Sequence, residues 1–126
     1  MYTKEEYAKD CQIHNDMRRL VDSDVNRLNY HLMAPVGWLN DPNGLVEKNG
    51  INHVYFQYTP FDAGWGIKSW GHYTTKDWLT YKEEEPFVFA DNRLDRDGAY
   101  SGSAIVKDGI IHYFYTGNVK LLDGDY

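Results

Sequence analysis

Lys48-Asn49-Gly50-Ile51-Asn52-His53-Val54-Tyr55-Phe56, "KNGINHVYF", aligns without a gap on Lys107-Asp108-Gly109-Ile110-Ile111-His112-Tyr113-Phe114-Tyr115, "KDGIIHYFY", 59 positions later. Each copy opens on Asn-Gly or Asp-Gly flanked by apolar residues, the strongest short-range signal for a β-hairpin. Self-similarity at such a period marks a repeat architecture, in which each unit buries its faces against the next. Around the first copy, Leu45 to Glu47 and Val54 to Tyr58 read as the paired strands. Ser69 to Thr75 reads as a third strand, and Asp77 to Lys82 as a place for a short outer one. Ala104 to Val106 and Ile110 to Thr116 flank the second turn. Short strands at this period, with no helix between them, predict the blades of a β-propeller. Propellers need at least about four blades, and 126 residues supply one to two. The chain is therefore expected to be the first part of a larger all-β domain.

Ahead of the β pattern, residues 3 to 21 predict a helix, with Thr3 and Glu6 spaced as a capping box. Residues 1–29 are read as this helix and its linker, and residues 30–126 as the incomplete propeller. "KEEEPFVFADNRLDRDG" (Lys82 to Gly98) reads as a long loop, its consecutive glutamates forming a solvated edge. Lone Cys11 excludes a disulfide framework and predicts a half-buried helix residue.

A net charge of −6 argues against a nucleic-acid partner, because no Lys/Arg patch is present to neutralise phosphates. No apolar run approaches the roughly 18 residues of a membrane span. The N-terminus lacks the apolar core of a secretory signal, which points to the cytoplasm. Aromatics reach 16%, including 4 Trp and 11 Tyr, in an acidic, polar chain. That mixture suits a surface on which rings stack against sugars, although aromatics also favour β-sheet for its own sake. No cofactor is expected. The spacings of His31, His53, His72 and His112 fit no compact metal motif, and two of these recur at equivalent repeat positions, which favours sheet packing.

"WLNDPNG" (Trp38 to Gly44) lies just before the first repeat unit. Asp-Pro-Asn-Gly alone suits the four positions of a surface β-turn. In a propeller, however, inner-strand ends converge on one axial funnel, which would set Asp41 on its floor beside Trp38. Gln57 falls late in the following strand, and Trp65, Trp70 and Tyr100 fall at strand ends. One carboxylate, amide groups and aromatic walls are the inventory of a glycosidase subsite. A retaining enzyme needs a nucleophilic carboxylate and an acid/base carboxyl roughly 5–5.5 Å apart.

"HLMAPVGWLNDPNGL" (31–45), "YFQYTP" (55–60), Trp65-Gly66, "SWGHYTTKDWLTY" (69–81) and "DGAYSGSA" (97–104) together resemble glycoside hydrolase family 32, the β-fructofuranosidases. The resemblance implies a five-bladed propeller and a retaining hydrolysis of β-fructosides such as sucrose, sucrose-6-phosphate or fructo-oligosaccharides. It implies that Asp41 is the nucleophile, holding the fructosyl unit covalently. Trp38, Leu39 and Asn40 match residues lining the fructosyl subsite, Gln57 a sugar-binding amide, and Trp65 an aromatic wall. Tyr100 and Ser101 match the aromatic–serine pair that closes the pocket. Tyr100 stands where phenylalanine is common, and Ile67 replaces an asparagine often found after the Trp-Gly pair. The family's "RDP" aspartate and "EC" glutamate have no counterpart here, so these residues alone are expected to be inactive. "YTGNV" (115–119) leans toward the sucrose-6-phosphate hydrolases, whose phosphate Lys68, Arg93 or Arg96 could meet. A non-catalytic carbohydrate-binding or assembly module is the competing reading. Unpaired sheet edges are expected to promote self-association.

Overall fold

The structure is a computed structural model, and it describes residues 2–13, 15–64 and 66–122, with the backbone alone at 12, 13 and 15. Two helices, α1 (Lys4–Ile13) and α2 (Asn15–Ser23), precede six strands. These are β1 (Trp38–Lys48), β2 (Ile51–Thr59), β3 (Ser69–Thr75), β4 (Lys82–Glu84), β5 (Gly98–Lys107) and β6 (Ile110–Asn118). Strands β1 to β4 form one antiparallel sheet in sequence order, and β5–β6 a second. The first sheet is the meander expected of one blade; the second has the two strands with which the next blade begins.

Both Asn-Gly-type turns form as the sequence predicts. Asn49 and Gly50 in the first, and Asp108 and Gly109 in the second, all have positive φ. Two-residue loops of that conformation fit the twist of the strands they join. Register repeats as well: Lys48↔Ile51 and Val46↔His53 in the first hairpin become Lys107↔Ile110 and Ile105↔His112 in the second. The likeness between the two units is thus one of backbone pairing as well as of residue type.

Strand β2 explains its own composition. Residues 54 to 59 are all buried because both faces are covered. Val54, Phe56 and Tyr58 join Tyr73 on one side, where Tyr7, Leu32, Ala34, Leu39 and Tyr81 pack against them. Tyr55 joins Trp70, Val88 and Ala99 on the other, with Val46 and Tyr113 alongside. The second cluster is the seam between the sheets. Tyr55 Oη lies 2.6 Å from Tyr113 Oη, and Trp70 is fully buried.

Several expectations change. The single helix over 3–21 is two. Its start is as predicted: Thr3 N–H donates to Glu6 Oε2 at 2.7 Å and Glu6 N–H to Thr3 Oγ1 at 3.2 Å. In α2, Met17 and Leu20 are exposed. The outer strand β4 comes later than expected, because Asp77 accepts from the amides of Leu79 and Thr80 and ties that segment into a turn. The glutamate run is no plain solvated edge either. Glu83 pairs with Arg18, Glu84 with Lys82 and Thr74, and Glu85 with Lys4, so two of the three clip the helices to the sheet. Beyond it, Phe87 and Val88 exchange backbone hydrogen bonds with Trp70 instead of looping free. Asp-Pro-Asn-Gly, finally, is not a turn but the middle of β1.

Candidate functional site

The start of β1 carries two irregularities. Leu39 pairs with Tyr58 and Pro42 with Phe56, so Asn40 and Asp41 together face the single residue Gln57. A second shift follows between Asn43 and Val46. The sequence dictates both. Pro42 has no N–H for the ladder. Gly44 has φ +57°, and a Cβ there would fall 2.5 Å from the Trp70 ring. Bulges of this kind turn side chains out of the strand alternation and favour sites of function. Strand β5 bulges in the same way: Ala99 pairs with Gly117 and Gly102 with Tyr115, leaving Tyr100 and Ser101 opposite Thr116.

Strands β1 and β5 run side by side, so the two bulges meet. Ser101 Oγ donates to Asp41 Oδ2 at 3.1 Å across the seam. Gln57 Nε2 donates to Ala99 O at 3.1 Å, and Trp70 Nε1 to Tyr100 O at 3.1 Å, which fixes the β5 bulge from below. Ala99 N–H in turn donates to Lys68 O at 2.9 Å. Asn43 Nδ2 donates to Asp41 O at 3.3 Å and supports the β1 bulge from its own strand.

Of the residues singled out in the sequence, Asp41, Asn40, Gln57, Tyr100 and Ser101 are gathered at these bulges, with Trp38 at the head of the same strand. Leu39 is not with them, since its side chain packs toward the helix-facing cluster. Trp65 lies outside the described residues. Asp41 is exposed on an open face rather than set in a funnel floor, while Gln57 is buried and bonded to backbone.

Two residues at the site escaped the sequence. Asn43 reads as a turn residue, yet it is buried, and its Oδ1 has no protein partner among the described residues. Lys68 enters the sequence reading only as a possible phosphate contact, yet it is only 4% exposed and sits 4.3 Å from the centroid of the Trp38 ring. Burial holds its ammonium below the usual lysine range, against the opposing pull of Asp62. Neither position had a distinguishing sequence signal beyond its closeness to Trp-Gly or Asp-Pro. Arg93 and Arg96 are exposed, and Arg96 is engaged with Asp97 and Lys120 O.

Away from the bulges, His53 Nδ1 and His72 Nε2 lie 3.0 Å apart, and the His72 ring stacks on Tyr55 at 4.3 Å. Among the described residues no group of three or more His, Cys, Asp or Glu side chains could hold a metal. None of their helices is long and apolar enough to cross a membrane.

Residues 31–125 match the model of the glycosyl hydrolases family 32 N-terminal domain. The chain is 48% identical over 106 residues to the sucrose-6-phosphate hydrolase of Bacillus subtilis (strain 168), covering 84% of this chain and 22% of that protein. It is 44% identical to the raffinose invertase of Escherichia coli over 75% of this chain and 20% of that one. Among solved structures, sucrose-6-phosphate hydrolase from Lactobacillus gasseri superposes with a TM-score of 0.85 at 34% identity, covering 98% of this chain and 26% of that one. A Bombyx mori β-fructofuranosidase superposes at 0.80 with 27% identity, over 94% and 25%. The chain thus spans about a fifth to a quarter of the relatives it matches. Its sheets are the first blades of a five-bladed β-propeller. With the family model covering three residues in four and the paired strands matching those of its solved relatives, the chain belongs to glycoside hydrolase family 32.

Proposed function

We propose that this chain is the N-terminal part of a retaining β-fructosidase, with residues 1–29 a helical lead-in and 30–126 the start of the catalytic propeller. Asp41 is the nucleophile. The observation that carries this reading is the meeting of two bulges, which turns the Asp41 carboxylate out of its strand and gives it a hydroxyl donor from the neighbouring blade. A carboxylate so held keeps one oxygen on Ser101 and presents the other to an anomeric carbon. Attack there forms a covalent fructosyl ester and expels the aglycone oxygen, which takes a proton from a general acid. Water then hydrolyses the ester, with retention. Trp38 and Tyr100 wall the sugar, and Asn40 offers it an amide. Trp65 and Gln57 complete the subsite, Gln57 acting through the Ala99 peptide, while Leu39 backs the strand from the helix-facing cluster.

The acid/base and the transition-state carboxylate come from the remainder of the protein. Proton transfer contributes about 10²–10⁴-fold and electrostatic stabilisation often more, so residues 1–126 alone are expected to be inactive. The relatives' names favour sucrose-6-phosphate or a related sugar as substrate, and a cytoplasmic location is part of the same proposal. A Bombyx mori relative has been solved in complex with sucrose. The open face around Asp41 favours one second reading for the 126 residues by themselves, a carbohydrate-binding module without chemistry.

The test is steady-state hydrolysis of sucrose and sucrose-6-phosphate by the intact protein and its Asp41→Asn variant. Turnover is expected to fall at least about 10³-fold in the variant, with melting unchanged within about 2 °C. Mass spectrometry of the quenched wild-type reaction should find a fructosyl adduct on the peptide holding Asp41. Wild-type turnover by the variant removes Asp41 as the nucleophile.

A further inference from the structure

We propose that Lys68 is a positioning residue for the Trp38 sugar wall, an inference that rests on the β-fructosidase reading. Lys68 stands immediately before β3, and its two ends serve two strands. Its backbone carbonyl accepts from Ala99 N–H at 2.9 Å, at the start of β5. Its side chain runs the other way, with Nζ donating to Gly66 O at 3.0 Å and resting over the Trp38 ring at the head of β1. The stem passes Gly98, where an added Cβ would come 3.6 Å from Lys68 Cβ and 2.6 Å from the Tyr100 ring. One residue is therefore tied both to the Trp38 ring, through its ammonium, and to the start of the β5 bulge, through its carbonyl.

Stability does not call for a lysine here. Taking an ammonium out of water is unfavourable, and a methionine of similar length would fill the space without that penalty. What the ammonium supplies is orientation. A cation over an indole face is attracted by the ring quadrupole, and it reaches Trp38 while held to Gly66 O, so it fixes the ring's tilt. With the cation on one face of Trp38, a sugar would stack on the other. The same geometry removes Lys68 from the set of possible phosphate ligands, because its head group is buried.

Two measurements test this. The first follows the indole N–H signal of Trp38, identified by its loss in Trp38→Phe, in ¹H–¹⁵N spectra of the intact protein. Lys68→Met is expected to shift that signal, and Lys68→Arg, whose guanidinium also stacks on aromatic faces, to return it toward its wild-type position. The second is sucrose hydrolysis by the intact protein. Lys68→Met is expected to raise KM about three- to tenfold, the range of one cation–ring contact, with kcat within about twofold and a melting temperature equal or higher. Lys68→Arg is expected to recover most of the KM. An unmoved indole signal, or a KM that changes only in step with a fall in melting temperature, overturns the proposal. Active wild-type enzyme with an unmoved signal sinks this inference alone. Inactive wild-type enzyme sinks the fructosidase reading and leaves the indole measurement to decide whether Lys68 orients Trp38.

Discussion

Ser101 and Asp41 lie 60 residues apart in the chain and 3.1 Å apart in space. A hydrogen bond to a charged acceptor contributes about 1.5–3 kcal/mol, with the lower figure applying on a solvent-facing site. Ser101→Ala is therefore expected to lower kcat/KM of the intact protein about tenfold while leaving its melting temperature in place. An unchanged kcat/KM would mean that Asp41 gains nothing from the contact. Asp41 was singled out by its place ahead of the first repeat and by the family motif, since Asp-Pro-Asn-Gly alone reads as a turn. Ser101 was legible only through the family motif, since a lone serine before Gly reads as a turn. Asn43 and Lys68 were not legible. What sets them apart is burial, which depends on how the strands pack and which no local pattern encodes. Gly44 stands between these cases. It has positive φ, with the Trp70 ring where a side chain would go. Gly44→Ala is expected to destabilise the chain by about 1–3 kcal/mol, read from urea unfolding.

At the scale of elements, the hairpins were written in Asn-Gly and Asp-Gly, because those residues accept the positive φ that two-residue turns require. The bulges were not. They arise from a competition between Pro42, Gly44 and the register set by the turn, and the same letters describe an isolated β-turn equally well. The late placement of β4 has a similar cause, since Asp77 captures the amides that a strand would have used. The β2–β3 pair also carries a pH response. Burial, then the neighbouring His53, pushes His72 down to about 4. A base depressed in the folded state takes up its proton more readily when unfolded. Stability from this source is whole above about pH 6.5 and declines as pH falls toward 4. The ring is partly exposed, so the loss is about 1–2 kcal/mol rather than the full linkage value. His72→Phe keeps the stack on Tyr55 and removes the titration. Its melting temperature should fall less than that of wild type between about pH 7 and pH 4.5, and an equal fall would place the acid sensitivity elsewhere.

For the whole molecule, the propeller was legible from period and strand count, because a hairpin repeated in register has few other ways to bury two faces. The seam was less so. Its aromatics look in sequence like ordinary strand formers, and only the fold shows Tyr55, Trp70 and Tyr113 shared between sheets. On the far side of the second sheet, Ile105, Ile110 and Phe114 are exposed, and β6 pairs only with β5 among the described residues. An apolar face beside an unpaired edge invites strand addition. Residues 1–126 are expected to self-associate in a concentration-dependent way, by light scattering after size exclusion, and to show no sucrose hydrolysis. A strictly monomeric or an active species would each contradict this.

The Ala99 peptide, meanwhile, acts as a rivet between the blades. Its N–H is fastened to the carbonyl of Lys68 and its oxygen to the amide of Gln57, both on the first sheet's side of the seam. Neither blade can tilt against the other without shearing both fastenings. The spacing between Asp41 and its hydroxyl donor is thereby inherited from main-chain architecture, and is in place before any sugar arrives.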